Sequence, residues 1–153
     1  MKILKSISLF SMLLVVSLVL VACGGNGGNA SNVDFEFHAF RNSGVEDAGD
    51  IARIMNATEL ASYLSKHDIS DGDFYDFIAE HYTIDFFAQN YIVFASLAGG
   101  GGDTFVVENV KSNGNIYVNQ SPGILTNVET WVVVIELPRT VDPTTFNIEL
   151  NKV

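Results

Sequence analysis

The chain is expected to fold as an α+β domain: an antiparallel β-sheet with about two helices packed on one face, after a cleaved signal peptide and a flexible tether. Three observations carry that expectation. Apolar residues recur at helical spacing only between residues 57 and 81; from Tyr91 onward they run continuously or alternate; and an Asn-Gly pair separates two of the alternating runs.

Taken in order, Asp34 to Phe40 alternates, with Phe35, Phe37 and Ala39 on one side, as a strand with one buried face does. Arg41 to Asp50 is polar and Gly-containing and reads as a loop. Ile51 to Met55 fits a short strand or the lead-in to a helix. Asn56 and Glu59 then form a capping pair, and Ala57, Leu60, Ala61 and Leu64 make a helical stripe. A second helix is expected after Ser70, with Asp71 and Asp73 in its first turn and a stripe of Phe74, Phe77, Ile78 and a partly buried His81. Thr83 to Asn90 reads as a further helical turn, with Phe86 and Phe87 inward.

Tyr91 to Ala98 is nearly all apolar, which suits a central strand covered on both faces. Gly99 to Gly102 follow as a mobile loop, then strands Thr104 to Lys111 and Asn115 to Asn119. Asn113-Gly114 between them predicts a type I′ hairpin turn, which needs positive φ at both positions. Gln120 to Val128 is a loop. Trp131, Val133, Ile135 and Leu137 alternate along one further strand, Phe146, Ile148 and Leu150 along the last.

The front of the chain has a different purpose. Lys2 and Lys5 precede 16 uncharged residues, Ile7 to Ala22, fewer than the roughly 20 that a spanning helix needs. Leu20-Val21-Ala22-Cys23 is similar to a bacterial lipobox, which implies cleavage before Cys23 and lipid on its thiol. An ordinary signal peptide or an uncleaved anchor would leave the single cysteine unexplained. Residues 1–22 are thus expected to be a lipoprotein signal peptide, 23–33 a lipidated cysteine with a Gly/Asn-rich tether, and 34–153 one domain. This puts the chain on the extracytoplasmic face of a cell membrane, held by acyl chains worth about 0.8 kcal/mol per buried CH₂.

Loss of Lys2 and Lys5 leaves six basic residues against 18 acidic ones, a formal charge of −12. Such a surface repels phosphate backbones and anionic headgroups, so neither nucleic acid nor lipid is expected as its ligand. No catalytic constellation is expected: Gly-x-Ser-x-Gly is missing and no free thiol survives lipidation. Asp103 stands where a P-loop needs lysine, so the glycines do not cradle phosphate. Asp68, Asp71, Asp73 and Asp76 do not meet the calcium-loop pattern, because alignment on Gly72 puts His67 first and Ile78 twelfth. His38, His67 and His81 show no metal-ligand spacing, and no metal or cofactor is expected. Trp131 reads as core. The remaining candidate binding residues are Gly99, Gly100, Gly101, Gly102, Asp103 and Thr104, on a loop between strands.

From Phe86-Phe87 the chain runs through the apolar strand Tyr91 to Leu97, a Gly-rich loop, the Asn113-Gly114 hairpin and Trp131 to Pro138. This order, over residues 86–150, resembles the C-terminal domain of the protease-complex subunit PrcB family of bacterial envelope proteins. Gly101-Gly102-Asp103-Thr104-Phe105 stands where that family has a Pro-Thr-Gly-Gly-Tyr-like loop, without the proline. The resemblance implies an accessory, non-catalytic role beside an envelope protease complex. The expected function is a protein-binding or accessory domain on a membrane-anchored lipoprotein; the alternative is recognition of a cell-wall glycan or peptide through an open cleft.

Overall fold

A computed structural model describes residues 30–41, 44–45, 48–125 and 127–153. Cys23, the segment 1–22 and the tether as far as residue 29 lie outside them. Eleven elements follow in order: β1 (Asn32–Val33), β2 (Glu36–Arg41), β3 (Ile51–Ile54), α1 (Ala57–Lys66), α2 (Gly72–His81), α3 (Ile84–Gln89), β4 (Asn90–Gly100), β5 (Thr104–Lys111), β6 (Asn115–Ser121), β7 (Val128–Pro138) and β8 (Asn147–Lys152). Asn32 and Val33, expected in the tether, belong to the folded part. Among the described residues no helix is long and apolar enough to cross a membrane.

Helices α1 and α3 start where a side chain satisfies a free N–H group, whereas Asp71 stands before α2 with no side-chain cap bond. Asn56 Oδ1 accepts from Glu59 N at 2.9 Å, and Glu59 Oε2 accepts from Met55 N at 2.7 Å. Helix α1 buries Leu60 and Tyr63 while Ala61 is exposed. The expected stripe is rotated because the Tyr63 ring reaches Phe94, 4.7 Å away, and buries far more area than an alanine. In α2, Phe74 and Ile78 are buried, but the next inward position is Tyr82, one residue past His81. His81 is exposed and stacks on Phe77 at 4.1 Å, a correction to its expected burial. Thr83 caps α3, which buries Phe87 and half-buries Phe86.

The strands form two sheets, and the domain has three layers. The central sheet, ordered β2-β7-β4-β3, is antiparallel throughout. Its even-numbered residues Ile92, Phe94, Val132 and Val134 pack under the helices together with Val45. Its odd-numbered residues Tyr91, Val93, Val133, Ile135 and Leu137 face the second sheet, meeting Phe105, Val107, Ile116 and Val118. Burial on both faces is why β4 reads as a continuous apolar run; β7, expected to alternate, is also buried on both faces, at Val132 and Val134 as well as Val133, Ile135 and Leu137.

The second sheet, ordered β1-β5-β6-β8, departs from the all-antiparallel expectation, because β8 lies parallel to β6, with Asn115 opposite Asn147 and Gln120 opposite Lys152. The segment after Pro138 crosses from the central sheet to the outer edge of the second before the chain turns back. Leu150, on that edge, is exposed.

The β5–β6 hairpin has a different turn from the one expected. Gly114 has φ +90°, whereas Asp68 is the only non-glycine with positive φ among the described residues, so Asn113 does not adopt it. Gly114 N donates to Lys111 O at 2.9 Å, and Asn113 Oδ1 accepts from Asn115 N at 3.2 Å. This is a three-residue connection ending in a left-handed glycine rather than a two-residue type I′ turn.

Candidate functional site

The Gly99–Thr104 segment is a corner where the chain passes from the central sheet to the second one. Gly99 and Gly100 are in β4, opposite Glu129 and Val128; only Gly101 and Gly102 turn, and Thr104 opens β5 on the surface. The segment is thus pinned, contrary to the mobile loop expected. Gly101 N donates to Asn127 O at 3.0 Å, Gly101 O accepts from Arg41 Nη1 at 2.5 Å, and Gly100 O accepts a longer bond from Trp131 Nε1 at 3.4 Å.

The glycines are needed for close approach. A Cβ on Gly100 would lie 2.7 Å from Leu125 O, and one on Gly123 would lie 2.0 Å from the Gly102 carbonyl carbon and oxygen. Two backbone segments touch here with no room for a side chain between them.

Asp103 is buried and holds the corner together. Its Oδ1 accepts from Gly123 N at 2.8 Å; its Oδ2 accepts from Gly100 N at 2.7 Å and from Gln120 Nε2 at 2.5 Å. One carboxylate so ties the end of β4, the end of β6 and the loop after it. The Gly123 and Gly100 N–H groups, with the Gln120 amide, hold Asp103 below its ordinary value of 3.8. Because the folded pKa is the lower one, the stabilisation is present above the unfolded value and is lost as pH falls through the folded value. Urea midpoints of the wild-type chain should drop as pH falls below about 4. Asp103→Asn, which turns a donor toward at least one of these donors, should be less stable at neutral pH and show a flatter acid limb. Parallel acid limbs would mean that Asp103 does not set it.

The clasped loop carries apolar side chains into solvent. Ile124 is 98% exposed, Val128 82% and Leu125 54%. Beside them a cavity of about 350 Å³ is lined by Ala98, Asp103, Pro122, Val128 and Lys152. The candidate contact expected on the glycines is thus less exposed than Ile124, Leu125 and Val128 across the corner. Val128 and the Ile124-Leu125 pair were visible as apolar residues; that the corner presents them was not.

A second cleft, about 550 Å³, lies between β2 and the start of α2 and is lined by Arg41, Asp68, Asp71, Asp73 and Trp131. Trp131 is half-buried: it packs on Phe105 at 5.4 Å and also borders this cleft.

The structure also groups three residues that sequence spacing did not single out. Glu36, His38 and Glu136 each offer a ligand atom within 4.8 Å of the others. Glu36-x-His38 on a strand was the available signal, since alternate residues share a face. Glu136 comes from β7, 98 positions on from His38, and only the β2–β7 register reveals it. Tyr82 donates its hydroxyl hydrogen bond to Glu136 Oε1 at 2.9 Å. Burial, then the Glu136 charge and that bond, push the Tyr82 phenol far above its ordinary value.

No family model, curated protein or solved structure matches the chain.

Proposed function

We propose that this chain is a lipoprotein moored through Cys23 to the extracytoplasmic face of a cell membrane, and that its domain is a non-catalytic binding module for another envelope protein. The observation that carries the binding role is the corner: Ile124, Leu125 and Val128 are exposed next to backbone that Asp103 bonds at Gly123 and Gly100. Exposed apolar groups beside a tied backbone favour a protein partner, since less ordering is left to be done on contact. The PrcB-like order of features over residues 86–150 supports an envelope protease complex as that partner's setting. The lipobox-like Leu20-Val21-Ala22-Cys23 supports the mooring.

A crosslinking pull-down from membranes tests both parts. The double variant Ile124→Ser, Leu125→Ser should recover at least tenfold less partner, about 1.4 kcal/mol of lost contact, with an unchanged melting midpoint. Cys23→Ala should abolish labelling by a palmitate analogue and release the domain or leave the precursor uncleaved. Undiminished recovery would sink the loop as the contact, and persistent labelling of Cys23→Ala would sink the mooring.

The cleft at Arg41, Asp71, Asp73 and Trp131 favours a second reading, capture of a cell-wall glycan or peptide, because an aromatic edge among charged groups suits a polar ligand. A thermal-shift screen against cell-wall fragments separates the two, as a ligand raises the midpoint by mass action.

A further inference from the structure

Glu36 lies directly opposite Glu136 in the β2–β7 pairing, and His38, two residues along β2, is on the same face. His38 Nε2 is 3.5 Å from Glu136 Oε1. Zinc bonds of about 2.0–2.1 Å set two ligands of a tetrahedral ion about 3.4 Å apart. The His38–Glu136 pair already has that span, and only the exposed Glu36 side chain has to close in.

The surroundings are those of a site lacking positive charge. Carboxylates directly opposed on neighbouring strands repel. Among the described residues neither has a Lys or Arg within salt-bridge distance; His38 is the one basic group beside them. The groups are also oriented from behind. Tyr82 bonds the Glu136 carboxylate, and the Phe77 ring packs on the His38 imidazole at 4.4 Å. A cavity of about 300 Å³, lined by Asp34, Glu36 and Glu136, opens next to the carboxylates.

We propose that Glu36, His38 and Glu136 form a divalent-metal site suited to zinc. Calcium and magnesium favour all-oxygen ligand sets, and soft ions favour thiolates; one imidazole nitrogen with two carboxylate oxygens fits zinc between them. The ion neutralises the opposed carboxylates, joins β2 to β7, and leaves its fourth position for water. Tyr82 acts as a positioning residue by holding Glu136.

The test is isothermal titration of Zn²⁺ into chelator-treated full chain, purified in detergent and carrying Cys23→Ser in every arm to remove the thiol. One equivalent should bind with a micromolar or tighter Kd. Glu36→Gln and His38→Gln should each weaken binding more than tenfold, Tyr82→Phe by about tenfold, and the exposed control Glu80→Gln not at all. Co²⁺ in place of Zn²⁺ should give the visible absorption of a four-coordinate ion, altered in His38→Gln. Far-UV circular dichroism of each metal-free variant checks folding, and the exposed Glu36→Gln tests the site without disturbing the core. No binding, or binding unchanged in His38→Gln, would overturn the site.

Discussion

Phe94→Ala should destabilise the domain by about 3–5 kcal/mol, the range for removing a fully buried aromatic side chain. Phe94 is 1% exposed, in the middle of β4, with β3 on one side and β7 on the other. Its ring lies 4.7 Å from Tyr63 and 5.8 Å from Phe74, so it joins α1 and α2 to the central sheet at once. Deleting it leaves a cavity that neither helix can close without leaving its other contacts. Domains of this size have about 5–15 kcal/mol in total, so the variant should lose a large part of its stability. Urea denaturation followed by the fluorescence of Trp131, the single tryptophan, measures it. A loss under about 1 kcal/mol would mean that the helix layer is not held through this ring.

Gly123→Ala should be strongly disruptive although it lies outside the hydrophobic layers. Gly123 is exposed by area, and a surface alanine is ordinarily harmless. Here the added methyl would sit 2.0 Å from the Gly102 carbonyl, against backbone that cannot rotate away as a side chain can. The loop has to move, and movement breaks the Gly123–Asp103 bond and exposes the other donors on that carboxylate to competition from water. The cost should reach or exceed the roughly 1–3 kcal/mol of overpacking. The variant should also show reduced partner capture, because Ile124 and Leu125 move with it. A wild-type urea midpoint would show that the corner yields freely.

Most single elements were legible in the residues; their assembly was less so. The Asn56–Glu59 cap, helices α1 and α2, the helical turn at Thr83 to Asn90 and the doubly covered β4 follow from local spacing and chemistry, whereas the expected alternation of β7 misses that Val132 and Val134 are buried as well. The division into two sheets was hidden, because a period of two tells which residues share a face but not which layer that face meets. For the same reason β8 could be recognised as a strand without its parallel pairing to β6. Ala61 and His81 were misplaced since a stripe read by hydropathy ranks alanine and histidine without asking which neighbour the side chain can reach; Tyr63 and Tyr82 win those positions by size. The glycines of 99–102 were noticed, but for Gly100, Gly101 and Gly102 the cause lies in Leu125, Asn127 and Gly123, more than 20 positions away, and only Gly99 is crowded by the nearby Phe105. Glu136 was unreadable as a neighbour of His38 because register is a long-range property.

The short strand β1 gives the domain a direction. Asn32 pairs with Lys111 and Val33 with Val110, at the end of β5 away from Thr104. The chain therefore enters the fold beside the Ser112–Gly114 turn, while the corner of Gly102, Ile124 and Leu125 lies past the opposite end of the same strand. Eight residues at about 3.4 Å each put roughly 25 Å between these poles. A chain held by anything upstream of Asn32 carries its glutamate–histidine cluster near the held side and its apolar tip on the far side. Under the proposed mooring at Cys23, the apolar tip would stand on the side of the fold away from the point where the tether enters it.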